Sequence, residues 1–396
     1  MEKSLTREEE FILSLLKDSL TQNKRRKDAD PGVNWNSFLI LAEKHEIMSL
    51  LYDVMPVDMP KEILDVIRLR ARQTVQKYYR MFFLTKYYVG KLRQAGIRCA
   101  VIKGVGASAA YPIPEYRKSG DLDIFVPDEK EFPKAEMVLV KSGLFRDPVQ
   151  TEHHCVVFHH PEGIVIELHR ALIEEVDDEE VNRKLRALNA RFVENIEEIE
   201  LLNNRFPVLK PPYQAFSLLL HMLHHYLHAG FGLRLLVDWV LFWKQRITKA
   251  DRRTYLKLVK DLGLTGFSEF VTAVCMQELG LPEGTVHESV AKSKDAYFFF
   301  LKDIFESGEF GDEDDSRMVL LRGTSVFDYF REFHHQMKLH FPRTSKVFLC
   351  WPVLWAATLF RFLKNNREVR NTTAIEVFKS SRERSAYTKE LELFRR

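Results

Sequence analysis

Apolar residues recur at helical spacing through the first part of the chain, and the pattern breaks only at polar or Gly/Pro punctuation. Thr6-x-x-Glu9 is a capping box ahead of Phe11, Ile12, Leu15 and Leu16, which predicts a helix entry. A polar linker over 22–33 follows, and its run Lys24-Arg25-Arg26-Lys27 reads as a solvated loop. Asn34-Trp35-Asn36 starts a second helix with Phe38, Leu39, Leu41 and Ala42 inward, and His45 after it is assigned to the interior or to a cap. Pro60 to Ala95 is one long helix, with proline at its start and Gly96 at its stop. Its Lys77-Tyr78-Tyr79-Arg80 and Lys86-Tyr87-Tyr88 clusters sit at helical spacing, so they read as an amphipathic face rather than a nucleic-acid grip.

The pattern then shortens. Apolar runs at 98–103, 121–126, 153–160 and 163–169 have the length of strands, and Pro161-Glu162-Gly163 marks a hairpin between the last two. Glu129 to Lys141 is a helix ending at Gly143. These elements predict a short mixed sheet with helices on one side. Helical spacing resumes afterwards, over an acidic stretch from Ala171 to Leu202. Beyond Pro211-Pro212 an apolar stretch runs from Tyr213 to Trp243, divided by Gly230-Phe231-Gly232. Further helices fill 244–340, with a solvated acidic loop at 311–315. Val347 to Leu363 is the most hydrophobic segment of the chain. It carries Pro352 and Arg361 and is short for a spanning helix, so it reads as a helix docked on the protein. The fold class expected is α+β. A helical region (1–96) leads into a small mixed-sheet core (97–202), and a large helical domain (203–396) follows.

Composition changes this picture little. The chain has 396 residues, 45% hydrophobic and 29% charged, which is ordinary for a globular protein with sizeable cores. A net charge of +3 is too balanced to imply long nucleic acid as partner. Cys99, Cys155, Cys275 and Cys350 are widely spaced and form no CxxC, so reduced thiols and a cytoplasmic location are expected. The acidic start MEKSLTREEEF does not read as a signal peptide.

Candidate chemistry concentrates between Cys99 and His169. Asp121 and Asp123 are two apart on a strand and therefore share a face, while Leu122 and Ile124 point to a core. Two carboxylates side by side are either solvated acids at a strand start or a cation site, and Mg²⁺ suits oxygen donors. Lys103-Gly104 and Gly106 lie upstream, after a strand and before a helix start, where backbone N–H groups meet phosphate. Lys103 and Arg117 flank that loop as candidate phosphate partners. Glu167 and His169 share the polar face of Ile164-Val165-Ile166-Glu167-Leu168-His169, where a third acid would complete a two-metal centre and His169 would bond to it from behind.

Two histidine-rich stretches stand apart. In 153–160, adjacent histidines on a strand face opposite ways, so no three of His153, His154, His159 and His160 converge easily on zinc. His159 or His160 remains a candidate substrate contact. In 221–228, His221, His224, His225 and His228 fall on one helical face, which permits a metal and equally a domain interface. Arg234 and Asp238 are four apart on the next helix. They form either an intrahelical pair or a phosphate-binding arginine oriented by its aspartate.

A strand-to-helix turn containing glycine, then Asp-x-Asp, then a third acid on a later strand, resembles the polymerase-β-like nucleotidyltransferase superfamily. The wording "IKG … YP … R … GDLDIFV" followed by "IELHR", with "WNSFLILAEKHEIMSLLYDVM" upstream and Arg234-x-x-x-Asp238 downstream, is similar to an uncharacterised nucleotidyltransferase family within it. Lys103-Gly104 stands where the wider superfamily has Gly-Gly or Gly-Ser. The resemblance implies transfer of a nucleoside monophosphate from an NTP such as ATP to an acceptor hydroxyl or phosphate, releasing pyrophosphate. It implies Mg²⁺ or Mn²⁺ on Asp121, Asp123 and Glu167, with the nucleotide on Lys103, Gly104, Arg117, Gly120 and Arg234. His169 and Asp238 would support these from behind. The alternative is a catalytically inactive protein of this fold that binds nucleotide or a partner protein. Peripheral membrane contact through 347–370 is a further expectation.

Overall fold

In the computed structural model, the structure describes residues 4–22, 28–151, 154–176, 178–228, 230–288, 293–308, 326–341, 344–368, 391 and 393. The basic run 24–27, His153, the acidic run 311–315 and the tail after 368, apart from Leu391 and Leu393, lie outside the described residues. The fold is α+β, a mixed sheet set among helices.

The N-terminal part forms as its spacing predicts. Helix α1 (Arg7–Thr21) starts on the Thr6/Glu9 capping box, and α2 (Trp35–Lys44) on Asn34, whose side chain accepts from the N–H of Asn36 and Ser37. A short α3 (Met48–Leu51) leads to α4 (Lys61–Gln94), after which Gly96 takes φ 72° and ends the helix.

The sheet is assembled from β1 (Ala100–Val101), β2 (Leu122–Phe125), β3 (Phe145–Thr151), β4 (Cys155–His159) and β5 (Val165–His169), in the order β1-β2-β5-β4-β3. Between β1 and β2 lies α5 (Gly104–Ser108), and between β2 and β3 lies α6 (Phe132–Lys141). Only β2 and β5 run parallel; the other neighbours are antiparallel. The edge strand β3 adds to the strands the sequence pattern indicates. Its Arg-Asp-Pro interior hides the apolar alternation that would announce it.

Helices cover both faces of this sheet, not one. Leu122, Ile124, Ile166 and Leu168 pack with Met81 and Val89 of α4 and Phe132 and Leu139 of α6. The opposite face presents Phe125 to Phe192, 5.6 Å between ring centroids, on α7 (Glu179–Phe192). The expected helix over 171–202 is therefore shorter at both ends. Residues 196–209 are instead a hairpin of β6 (Ile196–Leu201) and β7 (Asn204–Leu209). Its turn residues Leu202 and Asn203 take φ 49° and 57°, the left-handed pair of a tight hairpin. Ile199, Leu201, Phe206 and Val208 bury against Tyr78, Phe82 and Val105, and this packing overrides the helix preference of the glutamates between them.

Beyond β7 the described residues form α8 (Pro211–His228), α9 (Leu233–Gln245), α10 (Lys249–Asp261), α11 (Thr265–Leu279), α12 (Lys294–Ser307), α13 (Val326–His340) and α14 (Trp351–Glu368). Helix α9 is buried from Leu233 to Trp243. One hydrophobic cluster joins α1 and α2 to α8, α9 and α11, and reaches Ala100, Ile102 and Phe125 of the sheet region. His45 fixes this junction. It is fully buried, its Nδ1 accepts from the Leu233 N–H at the start of α9 (3.2 Å), and its ring meets Phe305 edge-on. Among the described residues, no helix is long and apolar enough to cross a membrane.

Candidate active site

The parallel pairing of β2 with β5 builds the site. Its register sets Asp123 beside Glu167 and Phe125 beside His169. Leu122, Ile124, Ile166 and Leu168 hold both strands against α4 and α6, so the carboxylates turn to the other face. Asp123 is fully buried and Glu167 half-buried. His169 Nε2 lies 2.9 Å from Asp123 Oδ1 and 3.1 Å from Glu167 Oε2, bridging the two acids. Asp121, half-buried, precedes β2.

The loop before α5 contributes a cation. Lys103 Nζ is 2.7 Å from Asp123 Oδ1, inside the carboxylate cluster rather than on the backbone loop that follows it. Gly104 has φ 52°, a conformation that favours glycine. Gly106 is required sterically, because a Cβ there would lie 2.6 Å from the Val101 carbonyl oxygen. Helix α5 itself has only five residues, so the expected grip on phosphate at a helix start reduces to this loop. Gly120 sits half-buried in the bend before β2.

The charges are strongly coupled. Burial and then the Asp123 carboxylate push Asp121 up to about 6, with Lys103 opposing. Burial would raise Asp123 too, but Lys103 and His169 outweigh it and hold Asp123 well below the usual carboxylate range. Against the effect of burial, Asp123, Asp121 and Glu167 raise Lys103, while Asp123 and Glu167 raise His169. Both stay cationic more readily than in water. Glu167 is lowered, its burial outweighed chiefly by the bond from His169.

Three cluster members, Asp123, Glu167 and His169, place one potential ligand atom each within 4.8 Å of one another. Asp123 Oδ2 is buried without a hydrogen-bond partner, a costly condition that a cation would relieve. Carboxylate donors suit Mg²⁺ or Mn²⁺, so the residues present fit such an ion.

Arg117 is engaged inside the protein, on Asp238. Its guanidinium is 3% exposed and forked onto Asp238 of α9, with Nε on Oδ1 at 2.8 Å and Nη2 on Oδ2 at 2.7 Å. Nη1 donates to Ser119 Oγ (3.0 Å), and Tyr111 Oη donates to Asp238 Oδ1 (2.6 Å). Asp238 therefore orients Arg117 first. Its second arginine, Arg234, stands 3.6 Å away at Nη1 and reaches Glu46 Oε2 at 3.8 Å. The positive charge of Arg234 acts on both Asp121 and His221. Glu46, at φ 54°, also takes Lys118 at 2.5 Å.

The histidine-rich stretches divide. His159 Nε2 bonds Asp147 Oδ2 of β3 (2.8 Å), and His160 lies edge-on to Tyr88 of α4, contacts away from Asp123 and Glu167. His154 instead meets His169 and His224, while His221 and His225 meet edge-to-face with ring centroids 4.5 Å apart. Burial, then the charges of Lys103 and the neighbouring imidazoles, hold His221 neutral, well below the usual histidine range.

Comparison with known proteins adds one result. A family model described as an uncharacterised nucleotidyltransferase matches residues 31–280, spanning α2, the whole sheet and α8 to α11. No curated protein matches the chain.

Proposed function

The chain belongs to the uncharacterised nucleotidyltransferase family, and from that premise we propose that it moves a nucleoside monophosphate from an NTP to an acceptor hydroxyl or phosphate, releasing pyrophosphate. Asp121, Asp123 and Glu167 are the residues that would hold Mg²⁺ or Mn²⁺. Bound there, the metal would offset phosphate charge and support the entering and leaving oxygens. The observation that carries this reading is the Asp123–Glu167 register pair, with Asp123 Oδ2 buried and unpartnered.

The chain's own residues have distinct tasks. Glu167, the more accessible of the pair, accepts the acceptor's proton. His169 keeps Asp123 and Glu167 in register by bonding to both. Lys103 and Arg234 supply positive charge to the phosphates, Gly104 and Gly120 let backbone approach them, and Arg117 and Asp238 support that wall from behind. Enclosure of these groups away from water strengthens each interaction.

The test is pyrophosphate release by wild type and by Asp121→Ala/Asp123→Ala, with each NTP, Mg²⁺ or Mn²⁺ and an extract of small-molecule and macromolecular acceptors. Metal-dependent release that disappears in the double variant supports the transferase. A second reading is a nucleotide- or partner-binding protein without turnover. It is favoured by Lys103 Nζ, which neutralises Asp123 with no metal. Tight NTP binding unaffected by chelator, with no release from any acceptor pool, would establish that reading.

We also infer a partner for the C-terminal segment. Val347, Phe348, Leu349, Val353 and Phe360 are exposed, with Phe348, Leu349, Val353 and Phe360 between 68% and 75%. Lys346, Arg361, Lys364, Arg367 and Arg370 accompany them in sequence against the single acid Glu368. Exposed apolar side chains beside cations fit an anionic bilayer surface.

A further inference from the structure

His154, in the bend before β4, has its ring centroid 5.8 Å from that of His169 and 5.6 Å from that of His224 on α8. Cys155 is the cross-strand partner of His169. One ring nitrogen of His154, one of His169 and the Cys155 Sγ all lie within 4.8 Å of one another, and all three residues are buried. Among the described residues, His154, His159 and His160 form no metal-ligand cluster with one another. Convergence comes from a thiol and from an imidazole on the next strand.

The state of His169 gives this cluster its meaning. Its Nε2 faces Asp123 Oδ1 and Glu167 Oε2. Its Nδ1 is buried and has no hydrogen-bond partner. With the proton on Nε2, donated to the carboxylates, Nδ1 carries a lone pair. An imidazole that gives one N–H to a carboxylate and keeps its other nitrogen for a metal is the usual environment of zinc-bound histidine. Glu174 Oε1 stands 3.6 Å from His154 Nδ1, so the second imidazole also has a carboxylate at hand. Thiolate and imidazole donors suit Zn²⁺, whereas the neighbouring oxygen donors suit Mg²⁺.

We propose that His154, Cys155 and His169 form a binding site for a Zn²⁺-class ion, separate from the carboxylate centre and joined to it through His169. Binding releases the thiol proton of Cys155, and the Nδ1 proton of His169 where the ring is cationic, to solvent; nothing is oxidised or reduced. His224, with its ring centroid 5.6 Å from that of His154, is a candidate for a fourth position. The ion would fix the tautomer of His169 and so the placement of Asp123 and Glu167. The inference does not rest on nucleotidyl transfer, because its readout is the metal itself.

The experiment titrates Co²⁺ into chelator-stripped full-length protein in excess Mg²⁺ and follows the sulfur-to-cobalt charge-transfer band. The expected result is a band that saturates near about one equivalent. Zn²⁺ displaces it, Cys155→Ser abolishes it, and Cys99→Ser and Cys275→Ser retain it. No band in wild type, or a band that survives in Cys155→Ser, overturns the site. Should Cys155→Ser lose its fold by circular dichroism, alkylation of wild type decides. Zn²⁺ must slow modification of Cys155, read at peptide level, while leaving Cys99 and Cys275 unchanged. Equal rates with and without Zn²⁺ overturn the proposal.

Discussion

Arg117 and Asp238 are 121 positions apart in sequence and meet in a two-pronged, almost fully buried ion pair. Arg117 leads into the Asp121-Leu122-Asp123 segment, and Asp238 lies midway along the buried helix α9. The pair thus ties the approach to the carboxylate centre to the C-terminal helices. Removing one partner leaves the other charge buried. Asp238→Asn or Arg117→Ala is expected to cost about 3–5 kcal/mol in urea denaturation. Arg117→Met with Asp238→Leu removes both charges and should recover most of that loss; a double variant as unstable as the singles would contradict the pairing.

The same pair sets a pH dependence. Burial opposes ionisation of Asp238, but the Arg117 guanidinium and its bonds win and lower the carboxyl's pKa in the folded state. A lowered folded value contributes stability that is present in full above the ordinary carboxylate range of about 4. That stability is lost as pH falls through the lowered value. The melting temperature of wild type should therefore fall more steeply on acidification below about pH 4 than that of Asp238→Asn. Parallel acid limbs would show that the pair makes no such contribution.

Divalent cations provide a check on the carboxylate centre that needs no acceptor. A ligand that binds only the folded state at about 100 times its Kd stabilises by about 2.7 kcal/mol. Saturating Mg²⁺ or Mn²⁺ is expected to raise the melting temperature of wild type. Asp123→Asn and Glu167→Gln should lose most of the rise. Lys103→Met removes the cation that now neutralises Asp123, so its metal-free form should be less stable and its metal-induced rise larger. A rise of equal size in all four proteins would place the metal elsewhere.

Much of this arrangement is legible in the chain itself. Asp123 and Glu167 lie where strand alternation puts them, opposite Leu122, Ile124, Ile166 and Leu168, because a buried face fixes which way each side chain turns, while Asp121 falls just before β2. The parallel register that makes Asp123 the neighbour of Glu167 is a long-range property. No local pattern encodes it. The partners of Arg117 and Lys103 escape the sequence for the same reason: a basic residue beside a glycine loop reads as a phosphate ligand until its acid, 121 or 20 positions away, is known. Hairpin β6–β7 was hidden by composition, since three glutamates in Ile196–Leu201 favour helix while burial of Ile199 and Leu201 selects strand. Cys155 and His169 have no motif between them; only the β4–β5 register brings them together.

Gly106 tests the packing beneath the Lys103 loop. A methyl group at this position would lie 2.6 Å from the Val101 carbonyl oxygen and 3.2 Å from Val208 Cγ1. The first neighbour is backbone of β1, which cannot yield without shifting the strand. Gly106→Ala is expected to destabilise by about 1–3 kcal/mol. Because Lys103 lies two residues beyond that strand, NTP affinity should fall along with stability. Unchanged denaturation and binding would mean that α5 can move away from the sheet freely.

The exposed segment around α14 makes the last prediction. Phe348 and Leu349 precede Trp351, and Val353 and Phe360 continue the apolar surface along the helix. Burying such side chains in a bilayer interface gains about 25 cal/mol per Å² of apolar surface, and each nearby cation adds about 1 kcal/mol on an anionic leaflet. Wild type should float with vesicles containing phosphatidylserine and less with purely zwitterionic ones. Phe348→Ser/Leu349→Ser should reduce flotation on both, by loss of insertion. Lys364→Gln/Arg367→Gln should reduce it on anionic vesicles alone, and added salt should weaken wild type there by screening the same charges. Because these residues lie outside the Arg117–Asp238 and Asp123–Glu167 pairs, neither variant should change metal-induced stabilisation. Flotation unaffected by either pair of substitutions would assign the exposed surface to something other than lipid.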